Sequence, residues 1–195
     1  MKNTRERLIQ EAQRQIYLKG AYSLSVRSIT NELGINAASI SYHFKGKEQL
    51  IDYVFCHNLE KLITSIESEG IQISNKSQSS INHRVINAIY TFHQENPSAL
   101  HTISSVANYL KHSGEDRLKR MEDFYESMLN QCLCKEALIM TLGDKDHFLD
   151  RLSYISDTFE FVSKKPIDEL SRYEDTILRG LVSQIISTGL IVWDK

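Results

Sequence analysis

Ala38, Ser39, Tyr42 and His43 fall on one side of a short predicted helix, with Arg27 before it and Lys47 just after it. Small side chains let a helix approach a surface closely. Hydroxyls and an imidazole offer hydrogen bonds, and the two cations offer charge to an anion. Nothing in this set pairs a nucleophile with a base, so it is not a catalytic constellation. It suits contact with base edges and phosphates, where polar side chains read sequence and cations hold the backbone.

The elements that must position these residues are legible in the flanking chain. Ser25 can cap a first short helix by accepting a bond from an orphan N–H one turn in. Val26, Ile29 and Leu33 give that helix one apolar face. Gly34 follows directly, and a left-handed turn residue is cheap only for glycine. Ile35 then packs back under the turn, and Asn36 can cap the next helix. On that helix a wheel of 100° per residue sets Ala37, Ile40 and Phe44 toward the core, opposite the polar group. Gly46 breaks the chain, and Lys47 opens a long helix, where its charge opposes the local dipole and an external anion accounts for it. Upstream, Asn3-Thr-Arg-Glu6 is a capping-box pattern, Leu8, Ile9, Ala12 and Ile16 continue as one face, and Gly20 ends the helix. The whole is a helix-turn-helix with its flanking helices, the build that sets one helix into the major groove of DNA.

Charge supports this division. The net charge of the chain is −2. Residues 1–50 nevertheless hold eight Lys/Arg against four Asp/Glu, and the remainder holds fifteen against twenty-one. A basic module on an acidic body is expected when only one end meets phosphates.

The pattern Ser25-Val26-Arg27, Ile29, Gly34-Ile35, Ile40, Tyr42-His43-Phe44, Lys47-Glu48 and Leu50 resembles the N-terminal domain of the TetR family of transcriptional regulators, over residues 5–55. The resemblance implies an all-α fold: a three-helix DNA-binding domain over residues 1–50 and a six-helix ligand-binding and dimerisation domain over 51–195. It also implies a small-molecule site among the middle helices. The DNA-contact set carried onto this chain is Ser25, Arg27, Ala37, Ala38, Ser39, Tyr42, His43 and Lys47. One departure is Ser41, where the family often has tyrosine, so contacts at that position do not carry over.

The body reads as further helices. One runs from Lys47 to about Glu69, and residues 70–80 are loop-like. The next stops at Asn96-Pro97, and another ends near Ser113-Gly114. A single helix is predicted from Glu115 to about Leu142, another around Phe148–Val162, and a last from Ile167 to Ile191. Tyr90, His93, His101, Tyr109, Phe124 and Tyr125 are the candidates for the pocket lining, although stripes of this kind also build ordinary core. The last two helices are apolar on more than one face, with Gly180, Ser183 and Ser187 allowing close approach, which predicts a homodimer.

Cys132 and Cys134, two apart on a predicted helix, would point away from each other, and with Cys56 they carry no expected metal or redox role. No cofactor motif, phosphate loop or catalytic signature is present. No apolar run reaches the ~18 residues of a membrane helix, and the start of the chain carries no signal-peptide pattern, so the expectation is a cytoplasmic protein. The sequence therefore points to a ligand-responsive transcriptional repressor, binding a near-palindromic double-stranded operator as a dimer and released by a small-molecule effector. A DNA-bound interaction protein of the same fold, recruiting a protein partner without an effector, is the alternative.

Overall fold

The computed structural model describes residues 3–71, 77–144 and 147–163. Within them the chain forms α1 (Thr4–Lys19), a 3-10 turn (Ala21–Ser23), α2 (Val26–Leu33), α3 (Ala38–Phe44) and α4 (Lys47–Ser68), then α5 (Gln78–Glu95), α6 (Pro97–Lys111), α7 (Glu115–Gln131), α8 (Lys135–Leu142) and α9 (Phe148–Ser163). No strand occurs among the described residues. The architecture is all-α, as the sequence predicts.

Local signals explain most helix ends. Asn3 and Glu6 form the reciprocal capping box on α1. The Ser25 hydroxyl accepts from the Ser28 N–H at 3.0 Å, and Gly34 closes α2 in the left-handed conformation at φ 64°. Pro97 opens α6, where its missing N–H is no loss.

One helix boundary differs from expectation. The predicted helix over 115–142 is two helices, α7 and α8, separated at Cys132, Leu133 and Cys134. Cys132 is extended at φ −86°, ψ 131°, and Leu133 is fully exposed. The break lets α8 bury Ala137, Leu138 and Leu142 against α5, which a straight continuation of α7 would not reach. Consequently the two cysteines do not point apart, and their sulfurs lie 3.2 Å from each other. The predicted final helix over 167–191, with its apolar faces and small residues, lies outside the described residues.

One contiguous core runs from Leu8 to Phe159. α4 passes residue 50 without interruption, so the first three helices and the body share a rigid element. A second connection appears only in the fold: α6 lies against α1 and the 3-10 turn. There the Ser105 hydroxyl accepts from the Ala21 N–H at 3.0 Å, and Gln13 donates to the Ser98 hydroxyl at 3.0 Å. Tyr17 meets His101 edge-on with centroids 5.3 Å apart, and Tyr22 meets Tyr109 edge-on at 5.0 Å.

Candidate nucleic-acid interface

α3 is seven residues long and held by its underside. Ile40 and Phe44 are buried in the core, and the Asn36 side chain accepts from the Ala38 N–H at 2.8 Å. Ala37 does not face the core as the wheel suggests. It is exposed, because the helix begins one residue later and Ala37 sits at its cap, before the regular 100° progression.

The outer face is open. Tyr42 is 84% exposed, Ala38 is exposed, and Ser39 and His43 are half-buried. Tyr42 and His43 meet edge-on at 4.9 Å, so the imidazole is braced against the phenol. Ser25 and Arg27 are exposed at the start of α2. Ser41, the departure from the family pattern, is exposed beside Tyr42. The helix-turn-helix therefore brings Ser25, Arg27, Ala37, Ala38, Ser39, Tyr42 and His43 into one module, with every polar member at least partly accessible.

Lys47, at the α4 N-terminus, has neighbours within the chain. It is half-buried, its ammonium lies 3.5 Å from the Glu48 carboxylate, and it stands 5.8 Å over the Tyr109 ring. The Glu48 carboxylate and the Tyr109 ring thus offset part of the local dipole that opposes the lysine charge. Lys45 is the residue sequence reasoning passed over. It is exposed directly after α3 and adopts a left-handed backbone at φ 57°, with its N–H donating to the Ser41 carbonyl at 3.0 Å. Its position in the basic segment was the available signal.

Behind this module, α4 is locked to the body through Arg117 of α7, which is 8% exposed. Its guanidinium donates to the Asp52 carboxylate and to the Glu48 carbonyl, at 3.0 and 2.9 Å, and also pairs with the Glu48 carboxylate. The Tyr109 hydroxyl donates to the same Glu48 carboxylate at 2.8 Å. Burial works against the Arg117 charge, but the contacts with Asp52, Tyr109 and Glu48 outweigh it and hold its pKa above the ordinary value.

The six pocket candidates pack among the helices of the body and against α1. Tyr125 is fully buried, stacked on Phe148 at 3.7 Å, and donates to the Gly143 carbonyl at 3.2 Å. Tyr90 and His93 pack against Phe159, at 5.3 and 5.8 Å. His101 lies against α1 and Tyr109 against α4, while Phe124 packs half-buried on the core. An open cleft of about 500 Å³ lies between α4 and α5, lined by His57, Lys61 and Thr64 on one side and by Phe92 and Asn96 on the other. Burial, then the nearby Lys61 charge, lowers the His57 pKa below its ordinary value. No helix among the described residues is long and apolar enough to cross a membrane.

A helix-turn-helix with its outer face open is joined by one continuous helix to a helical body. Residues 8–54 match the profile of the family described as "Bacterial regulatory proteins, tetR family". A stretch of 75 residues is 32% identical to the probable HTH-type transcriptional regulator YttP of Bacillus subtilis, covering 38% of this chain and 36% of that protein. The chain thus spans only about a third of that curated relative. Two solved structures share the fold over nearly their whole length. One is a tetR-family regulatory protein from Rhodococcus RHA1 (TM-score 0.62, 16% identity, 92% of this chain and 97% of that one). The other is the fatty acid degradation regulator FadR from Bacillus halodurans (TM-score 0.60, 14% identity, 91% and 97%). The N-terminal module is thus similar to that of tetR-family regulators, and the fold of the described residues is similar to theirs.

Proposed function

We propose that this protein is a transcriptional repressor that binds a near-palindromic double-stranded DNA operator as a homodimer and is released by a small-molecule effector. The observation that carries the reading is the exposed outer face of α3, with Tyr42 84% exposed above the buried Ile40 and Phe44. A tyrosine left this open on a helix whose underside is fixed is placed for contact with another molecule. Ser25, Arg27, Ala37, Ala38, Ser39, Tyr42 and His43 contact the operator, Lys45 adds charge toward a phosphate, and Lys47 reaches a phosphate from the α4 N-terminus. α4 and α6 together carry a change in the body to α3, because both pack on the DNA-binding unit.

The test is selection of bound sequences from a random DNA pool, followed by sedimentation of the protein alone and with the selected site. Enrichment of an inverted repeat, with two chains per site, supports the reading. Absence of any enriched sequence, or one chain per site at micromolar concentration, refutes it. The reading as an effector-free interaction protein draws on one observation: Tyr90, His101, Tyr109 and Tyr125 each have close partners within the chain.

A further inference from the structure

Where α7 gives way to α8, three potential ligand atoms converge: the sulfurs of Cys132 and Cys134 and a carboxylate oxygen of Glu67, all within 4.8 Å of one another. We propose that Glu67, Cys132 and Cys134 form an exchangeable site for one borderline-soft divalent cation of the zinc and cadmium kind. Two features point to a ligand rather than to packing. First, the sulfurs lie 3.2 Å apart, although a residue separation of two on an uninterrupted helix would send them to different faces. Second, the third donor is already held at this turn, because the Glu67 carboxylate accepts the Leu133 N–H at 3.0 Å, between the two cysteines.

The geometry is close to what such a cation needs. With zinc–sulfur bonds near 2.3 Å, tetrahedral ligand sulfurs stand about 3.8 Å apart. Opening the pair from 3.2 Å by about 0.6 Å reaches that value. The donor set also selects the cation. Two thiolates favour soft and borderline ions, whereas the carboxylate disfavours monovalent copper, which prefers sulfur alone. Three protein ligands leave a fourth position for water, the pattern of an accessible site rather than a closed structural one. Binding releases one proton from each thiol, since both ligate as thiolates.

Its position gives the site a consequence. Glu67 lies in the last turn of α4, whose first turn holds Lys47 beside the DNA-binding unit, and the Leu133 N–H donates to Glu67 at 3.0 Å. A cation here ties the far end of α4 to the α7–α8 turn. That coupling to DNA rests on the function proposed above, while cation binding does not.

The full chain, reduced and metal-free, is titrated with cadmium while the thiolate-to-metal charge-transfer absorption is followed, and with zinc against a chromophoric chelator. One equivalent is expected, abolished in Cys132→Ser and in Cys134→Ser and unchanged in Cys56→Ser. Glu67→Gln should weaken binding at least tenfold. Helix content and unfolding midpoint are recorded for each variant, so that a loss of folding is not read as a loss of ligand. No absorption band in the wild type, a band that survives in the Cys132→Ser/Cys134→Ser double variant, or equal affinity in Glu67→Gln overturns the assignment. Selected DNA is then added with and without cation. A protein that binds cadmium through these residues but enriches no DNA refutes the regulator reading and leaves the cation site standing.

Discussion

Arg117 on α7 donates to the carboxylate of Asp52 on α4 at 3.0 Å, joining residues 65 apart in sequence. This pair ties α7 to the helix that carries the DNA-binding unit, beside the 3.7 Å contact between the Cys56 and Met121 sulfurs. A charge so buried is tolerable only because Asp52 and the Glu48 carbonyl and carboxylate surround it. Arg117→Ala takes the guanidinium from Asp52 and should destabilise the fold by about 3 kcal/mol, the lower end for a broken buried pair, since Glu48 keeps Tyr109 and Lys47. A shift in urea midpoint corresponding to less than about 1 kcal/mol would place the pair in the class of surface contacts.

Contacts to phosphate and to bases separate by their salt dependence. Lys47→Ala should lower the slope of log affinity against log salt by about one and leave the preferred sequence unchanged. Tyr42→Ala should change the preferred sequence and leave the slope unchanged. Fluorescence anisotropy at several salt concentrations, with matched and mismatched sites, measures both. An unchanged slope for Lys47→Ala would mean that Glu48 and Tyr109 hold the lysine away from DNA.

Lys45 closes α3 with a left-handed backbone, which an L-residue with a side chain adopts at a cost of about 1 kcal/mol. Lys45→Gly should therefore raise stability by up to about that amount. If Lys45 also reaches a phosphate, the same variant should bind DNA more weakly despite its greater stability. Denaturation and anisotropy on one preparation check the two opposite signs together.

Acid should weaken the fold through Glu11 and Glu48. Hydrogen bonds from Arg14, then from Gln15, overcome burial and hold the Glu11 carboxyl below its ordinary value of 4.5. Burial alone would raise Glu48, but Tyr109 and Arg117 lower it. A depressed carboxylate contributes its full stability above the unfolded value, and that stability is lost as pH falls through the folded one. Unfolding midpoints should thus be flat near neutrality and drop below about pH 4.5, with a shallower drop in Glu11→Gln. An identical acid profile in that variant would remove Glu11 from the cause.

An effector that releases the operator must bind less tightly when operator is present, by the same factor. For a coupling of ~1–3 kcal/mol the ratio is about 5 to 150. Calorimetry with and without selected DNA reads it directly, for an organic ligand or for the cation proposed above. Equal affinity in both conditions excludes that ligand as the releasing signal.

The helix-turn-helix was legible in the sequence because its determinants are local. Ser25 caps within one turn, Gly34 supplies a backbone angle that side chains resist, and Ile29, Ile40 and Phe44 recur at helical spacing. Such signals act over four or five residues and need no knowledge of the rest of the chain. Apolar stripes in the body were equally visible, but a stripe says that a face is buried and not what buries it. Only the tertiary structure set His101 on α1, Tyr109 on Glu48 and Tyr125 on Phe148. The break at Cys132 to Cys134 was hidden for the same reason. No proline or glycine marks it, and the periodicity runs on through Leu138. What ends α7 is the chance to bury Ala137, Leu138 and Leu142 on α5, with Glu67 of α4 accepting the Leu133 N–H that the break frees. Glu67 stands 66 residues from Leu133, and two helices separate α5 from α8 in the chain, so only packing brings these partners to the cysteines.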